Sequence, residues 1–303
     1  MHCPGLQPRG KREATHLGKV KNCNRIIQPS SKTPKNSMSK NSRIPFIVCS
    51  LVLFSSWVQA ESKWITETHK IYSIHYDSVD KQNVKEYKAF IDSGILTVQA
   101  FFGGSFKSRF EVNIHPNRKS LDTQWQTDWK MPDFKSECWM VASGVAGKLD
   151  MISPKRWDTE SCEHKYADKI KTQQLITHEL VHAYHGQFNA SPDFSDVTGI
   201  DWFVEGLATY ASGQSDSASL AEVRKAVSEN KFPAELDKFW TGKLRYGFSG
   251  SMVLFIDKKF GRAKIIELLK FNNKKDLLAA LSISEEELLN EWKEYISRHT
   301  VSL

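Results

Sequence analysis

Between Trp64 and Tyr76 apolar and polar side chains alternate, most cleanly through Ile71-Tyr72-Ser73-Ile74-His75-Tyr76, and this period of two predicts a strand with one buried face. From Asp80 to Phe102 the spacing becomes helical: Val84, Tyr87, Ala89, Phe90 and Ile91 supply an apolar side, and Gly103-Gly104 ends it. Phe110 to His115 reads as a second strand, closed by Pro116. Between Cys138 and Pro154, small residues and glycines (Ala142-Ser143-Gly144-Val145-Ala146-Gly147) precede the apolar run Leu149 to Ile152, which suits a strand or hairpin near a sheet edge. Beyond Thr172 the pattern is helical almost throughout, over residues 172–186, 201–212, 217–230, 247–260, 263–271, 274–281 and 285–298. Ser284 before Glu285-Glu286-Glu287 is an N-cap with acids in the first turn, where the helix dipole favours them. Strands first and helices after predict an α+β fold, a mixed-sheet lobe with helices followed by a mostly helical lobe.

One apolar run fits neither lobe. Ile44 to Trp57 follows a basic flank and leads into Val58-Gln59-Ala60, a small-residue cleavage signature. It is too short for a comfortable membrane span and predicts a secretory signal peptide of about 38–60, with Met38 as the expected start and 1–37 upstream of it. Cys49 lacks the small residues that precede a lipidated cysteine, so a lipid anchor is not expected. The organisation expected is therefore a removed leader over 1–60 and one two-lobed domain over 61–303, acting outside the cytoplasm, periplasmic or secreted.

This division changes the charge. The chain carries 42 Lys and Arg against 35 Asp and Glu, but residues 1–60 hold ten of the basic residues and one acid, leaving 32 and 34. The basicity belongs to the leader. The remainder has no basic stripe with interleaved aromatics, which argues against a nucleic-acid partner, and no basic amphipathic helix, which argues against membrane attachment. Of five cysteines only Cys138 and Cys162 follow Ala60, and after export an even pair is expected to bridge, two free buried thiols being the alternative. Trp125, Trp129, Trp139 and Trp157 crowd the middle third, where they either fill a core, the commoner fate of large aromatics, or line a cleft.

The chemistry concentrates in His178-Glu179-Leu180-Val181-His182. At about 100° per residue, His178 and His182 share one helix face and two imidazoles can reach one ion, with Glu179 beside that face. Downstream, Trp202-Phe203-Val204-Glu205-Gly206-Leu207-Ala208 places a single acid in an apolar helix turn. A buried carboxylate needs a cation: a divalent ion facing two imidazoles supplies one, and an ion pair with a distant Lys or Arg is the alternative. Zinc with three protein ligands keeps a place for water, and an adjacent carboxylate can take that water's proton.

HELVH together with WFVEGLATY resembles the gluzincin branch of the zincin metallopeptidases, and Tyr246-Gly247-Phe248-Ser249-Gly250-Ser251 with its following apolar helix is similar to the C-terminal part of the thermolysin-like peptidase MA group. The resemblance implies a zincin-like fold with the active cleft between the lobes and one zinc ion. It further implies His178, His182 and Glu205 as ligands, Glu179 as general base and acid, and Tyr246 as oxyanion donor; a core tyrosine capping an apolar helix is the other reading of Tyr246. It also implies that an edge strand beside the metal helix binds substrate backbone. Where thermolysin has an acid four residues after its ligand glutamate, this chain has Thr209, so the group that orients a zinc histidine is open, Asp201 being one candidate. The metzincin pattern fails, since its glycine and third-histidine positions hold His185 and Phe188. His185 either lines the site or is an ordinary polar residue near the helix end. No GxMEN-like string for gripping a free amine is present, which favours an endopeptidase over an aminopeptidase. The activity expected is zinc-dependent hydrolysis of a peptide or protein substrate; the alternatives are a zinc hydrolase of another amide, such as a cell-wall component, and a non-catalytic zinc-stabilised interaction protein.

Overall fold

The computed structural model describes residues 64–298, so the expected leader and its cleavage point after Ala60 lie outside the described residues. Five strands, β1 (Trp64–Thr68), β2 (Tyr72–Asp77), β3 (Phe110–His115), β4 (Ala142–Val145) and β5 (Lys148–Ile152), form one sheet in the order β1-β2-β3-β5-β4. The central strands β2, β3 and β5 are parallel, and β1 and β4 lie antiparallel at the two edges. The single strand expected over 64–76 is two: the chain reverses at His69-Lys70-Ile71, where the His69 N–H donates to the Tyr72 carbonyl at 2.8 Å. Neither Gly nor Pro marks this turn, so the alternation conceals it.

The pleat sorts the sheet into two faces. Tyr72, Ile74, Tyr76, Val112, Ile114, Leu149 and Met151 are buried on one, under α1 (Val84–Phe102) and α4 (Lys169–Gly186). The absence of a side chain at Gly94 lets these helices close, since a Cβ there would meet Leu180 Cδ1 at 2.6 Å. The other face carries polar residues and is partly covered by α2 (Arg118–Asp128), a helix the sequence reading missed. Only Leu121 and Trp125 of α2 are buried, too few to show a helical period. The signal that could have found it is Asn117, whose side chain accepts from the Ser120 N–H at 2.9 Å as an N-cap. Trp125 and Trp157 are fully buried in a second, smaller core with Leu121, Met140, Val141, Ile152 and Leu175, and Trp129 and Trp139 pack on it, so this cluster is chiefly structural. Cys138 and Cys162 form a disulfide with their Cα atoms 5.4 Å apart, tying the segment before β4 to the loop before α4.

After the short α3 (Trp157–Glu160) and α4, the chain is helical: α5 (Asp201–Ala211), α6 (Ser217–Ser228), α7 (Arg245–Phe260), α8 (Arg262–Leu268), α9 (Lys274–Leu281) and α10 (Glu285–Arg298). The order is thus α+β, a mixed five-stranded sheet in the N-terminal part and helices in the C-terminal part. In α10, Leu288, Trp292 and Ile296 recur at four-residue intervals and face α6 and α7, and Ser284 Oγ accepts the Glu287 N–H at 3.1 Å as expected of the cap. Burying side chains of this size stabilises by roughly 1.5–3 kcal/mol each, and Trp292→Ala would cost about 3–5 kcal/mol. Among the described residues, no helix is long and apolar enough to cross a membrane.

Candidate metal centre

The HELVH segment lies in the second half of α4, where every residue from Leu175 to Gly186 is buried, so this helix has no solvent face there. One side presses on α1, another on β4. Gly144 of β4 sits so close that a Cβ would meet the Glu179 carbonyl oxygen at 2.1 Å, and Gly186 similarly lies against the Ala146 backbone. This is why the edge strand reads Ala-Ser-Gly-Val: any larger side chain at Gly144 would push α4 off the sheet.

The third side of α4 meets α5, which delivers Glu205. The carboxylate is fully buried, with Oε2 3.4 Å from His178 Nε2 and 3.7 Å from His182 Nε2, while the two imidazole Nε2 atoms stand 3.0 Å apart. One donor atom from each of the three residues falls within 4.8 Å of the others. Gly206 explains how α5 reaches so far inward: a Cβ there would meet the Ser249 carbonyl oxygen of α7 at 2.3 Å, so the two helices cross at backbone contact beside the acid.

The electrostatics follow from this burial. Desolvation alone would raise the Glu205 carboxyl, but the His182 and His178 imidazoles outweigh it and hold the group well below the ordinary carboxylate range. Burial likewise opposes charge on His178, yet Glu205 and Glu179 raise it. Glu179 is pushed up by desolvation, against the pull of the two imidazoles and the Gly144 backbone amide. Both Glu205 oxygens, Glu179 Oε2 and His182 Nδ1 are buried without a hydrogen bond. Two facing imidazole nitrogens and an uncapped carboxylate form a donor set that lacks its acceptor, and a divalent cation fits it.

The residue that orients His178 is Gln214, whose Oε1 lies 2.8 Å from Nδ1. With Nδ1–H donating to that carbonyl oxygen, the Nε2 lone pair of the neutral ring faces the cluster, the arrangement a metal ligand needs. Neither Gln214 nor its role was foreseen. Gly213, at φ +79°, turns the chain back after α5 and aims Gln214 at α4, and the glycine directly after the helical run was the signal available. Asp201, proposed from the sequence, opens α5 as its first residue.

Tyr246 is brought to the same place, its ring 6.2 Å from that of His178, and its hydroxyl is buried without a partner. It is the second residue of α7 and not, as expected, a residue ahead of the helix. His185 is fully buried between Phe194 and Phe203, its Nε2 3.3 Å from Asn189 Nδ2, and desolvation pushes it down to about 3. It lies in the last turn of α4, near the helix end as expected, but fully buried in the core. No protein-family model matches the chain, and no curated protein matches it in sequence.

Proposed function

We propose that the protein is an extracytoplasmic zinc metallopeptidase of the gluzincin type, with His178, His182 and Glu205 holding the metal and Glu179 and Tyr246 serving the chemistry. The observation that carries this reading is the buried His178–His182–Glu205 group, whose carboxylate has no hydrogen bond, with a second buried carboxylate beside it. Two imidazoles and one carboxylate favour zinc, which when bound would supply Lewis acidity toward a carbonyl oxygen and water. Glu179, one residue from His178 and with Oε2 uncommitted, accepts the proton of the attacking water and returns it to the leaving amine. The Tyr246 hydroxyl, equally uncommitted, donates to the oxyanion that develops on the scissile carbonyl. The open side of β4, the sheet's edge strand against the metal helix, accepts the substrate backbone as a further strand. The antiparallel edge strand lying beside the HELVH helix supports the zincin-like reading, and the Cys138–Cys162 bridge supports an oxidising compartment.

The test is a Glu179→Gln protein. Its hydrolysis of a denatured protein mixture is expected to fall by about 10²–10⁴-fold, with one zinc per chain retained by elemental analysis. Normal hydrolysis by the variant, or a parent protein purified without metal and inert when zinc is added, would remove the proposal.

A further inference from the structure

Arg245, the first residue of α7, is placed unlike the other arginines. Its guanidinium carbon lies 5.5 Å from the ring centre of Trp139, 5.4 Å from that of Trp240 and 5.3 Å from that of Tyr246. Among the described residues, no carboxylate pairs with it and its buried Nε has no acceptor. By contrast, Arg262 pairs with Asp257 and Arg156 with Glu160, and Arg118 donates to several backbone carbonyls. Two of the rings around it carry donors in the same condition. The indole Nε1 of Trp240, a residue only 7% exposed, and the hydroxyl of Tyr246 are both buried without a hydrogen bond, and the two rings meet edge to face at 4.8 Å.

Arg245 and the Trp240 indole N–H are therefore two donors, one of them a cation, set in an aromatic box with no acceptor, beside the Tyr246 hydroxyl already assigned to the oxyanion. Arrangements that leave buried donors unmet carry a desolvation penalty, and one acceptor-rich anion would relieve both. The planar fork of Arg matches a carboxylate with two parallel hydrogen bonds.

Position says which carboxylate. The Tyr246 ring is 6.2 Å from His178 and 5.3 Å from the Arg245 guanidinium, so the cation is at most the two lengths laid end to end from the metal ligand. An extended peptide covers that span in about three residues at roughly 3.5 Å each. Trp139, the wall contributed by the other lobe, precedes β4 (Ala142–Val145), whose Gly144 lies against Glu179. A peptide pairing antiparallel with the open edge of β4 would run its C-terminal half toward Trp139 and Arg245.

Resting on the peptidase reading, we propose that Arg245 and Trp240, walled by the Tyr246 and Trp139 rings, form a subsite for a substrate carboxylate on the C-terminal side of the cleaved bond, within about three residues of it. The carboxylate is either the peptide's own terminus or an Asp or Glu side chain. The subsite makes the protein selective for acidic or C-terminal segments.

The experiment measures binding to the zinc-loaded Glu179→Gln protein by calorimetry, using random hexapeptide pools prepared as free acids or C-terminal amides, each with or without Asp and Glu. Free-acid pools binding about tenfold to a hundredfold more tightly than amides would assign the terminal carboxylate. The same margin for Asp- and Glu-containing pools regardless of amidation would assign the side chain. In either case Arg245→Met, added to the same protein, should erase the margin while leaving amide-pool affinity in place, and Arg245→Lys should restore part of it. Equal affinity for all four pools in the protein that keeps Arg245 would overturn the subsite and leave the peptidase reading standing, whether or not the Met variant folds. No binding of any pool would overturn both. A margin that survives in a folded Arg245→Met protein would also overturn the subsite, leaving the arginine a packing residue whose loss moves only the melting temperature.

Discussion

Two buried carboxylates lie on opposite sides of the sheet, and each faces histidine. Asp150 of β5 is 2% exposed, and its oxygens are met by Asn113 Nδ2 at 2.7 Å, Lys148 Nζ at 2.9 Å and, more distantly, His115 Nε2 at 3.8 Å. Burial would raise its carboxyl, but His115, Lys148 and Asn113 together lower it. His115 in turn sits 3.0 Å from Ser120 Oγ through Nδ1. Glu205 is just as deeply buried and is also held ionised by imidazoles, yet neither of its oxygens has a hydrogen bond. The difference is completeness. Around Asp150 the protein furnishes Lys148 and Asn113 itself, so the carboxylate is satisfied although His115 Nε2 is not hydrogen-bonded; around Glu205 it furnishes only two imidazoles, and a divalent cation would satisfy all three groups. A lowered carboxylate beside histidine therefore does not by itself mark a candidate metal site; what sets Glu205 apart is that neither oxygen is hydrogen-bonded and that two imidazoles and the carboxylate converge within 4.8 Å.

This contrast can be broken by exchanging one oxygen for nitrogen in each centre. Glu205→Gln should abolish stoichiometric zinc binding, with hydrolysis lost alongside, while the fold survives chelation. Asp150→Asn should leave zinc content and hydrolysis at the parent level and lower unfolding stability by about 2 kcal/mol, because partly exposed Lys148 keeps Asp128 as a partner. Zinc loss in the Asp150 variant, or full zinc in the Glu205 variant, would erase the distinction. Gln214→Ala sharpens it from the metal side: releasing the His178 ring should weaken zinc affinity by about 10–100-fold in competition with a chelator, with melting of the metal-free protein little changed. The smallest effect is one of pH. Since the folded Asp150 carboxyl titrates below its unfolded value of about 3.9, its stabilisation is complete above that value and is lost as pH falls through the lower folded one. The stability gap between the metal-free parent and Asp150→Asn, followed by denaturant unfolding, should thus narrow only below about pH 4.

The two centres also differ in how far the sequence exposed them. His178 and His182 are legible because a four-residue interval on a helix is a spatial fact before any fold is known. Glu205 is legible because an acid among Trp202, Phe203, Val204, Leu207 and Ala208 cannot be solvated by its neighbours. Asp150 and His115 were invisible, since their meeting depends on the β3–β5 register, in which Asn113 pairs with Asp150. Gln214 had only Gly213 after the helical run as a signal, its aim being set by the left-handed turn there, and Arg245 was invisible because its surroundings include a tryptophan from a distant loop. The α+β order was readable from periodicity, whereas α2 and the reversal at His69-Lys70-Ile71 were not, the first having too few apolar residues and the second no turn residue.

The backbone contact of α5 with α7 at Gly206 yokes together parts that could otherwise drift apart. One helix bears Glu205, the acid of the candidate metal centre, and the other opens with Arg245 and Tyr246, the residues of the proposed substrate subsite. A methyl group wedged in at that crossing would displace both at once, so Gly206→Ala should blunt zinc affinity and peptide discrimination in step.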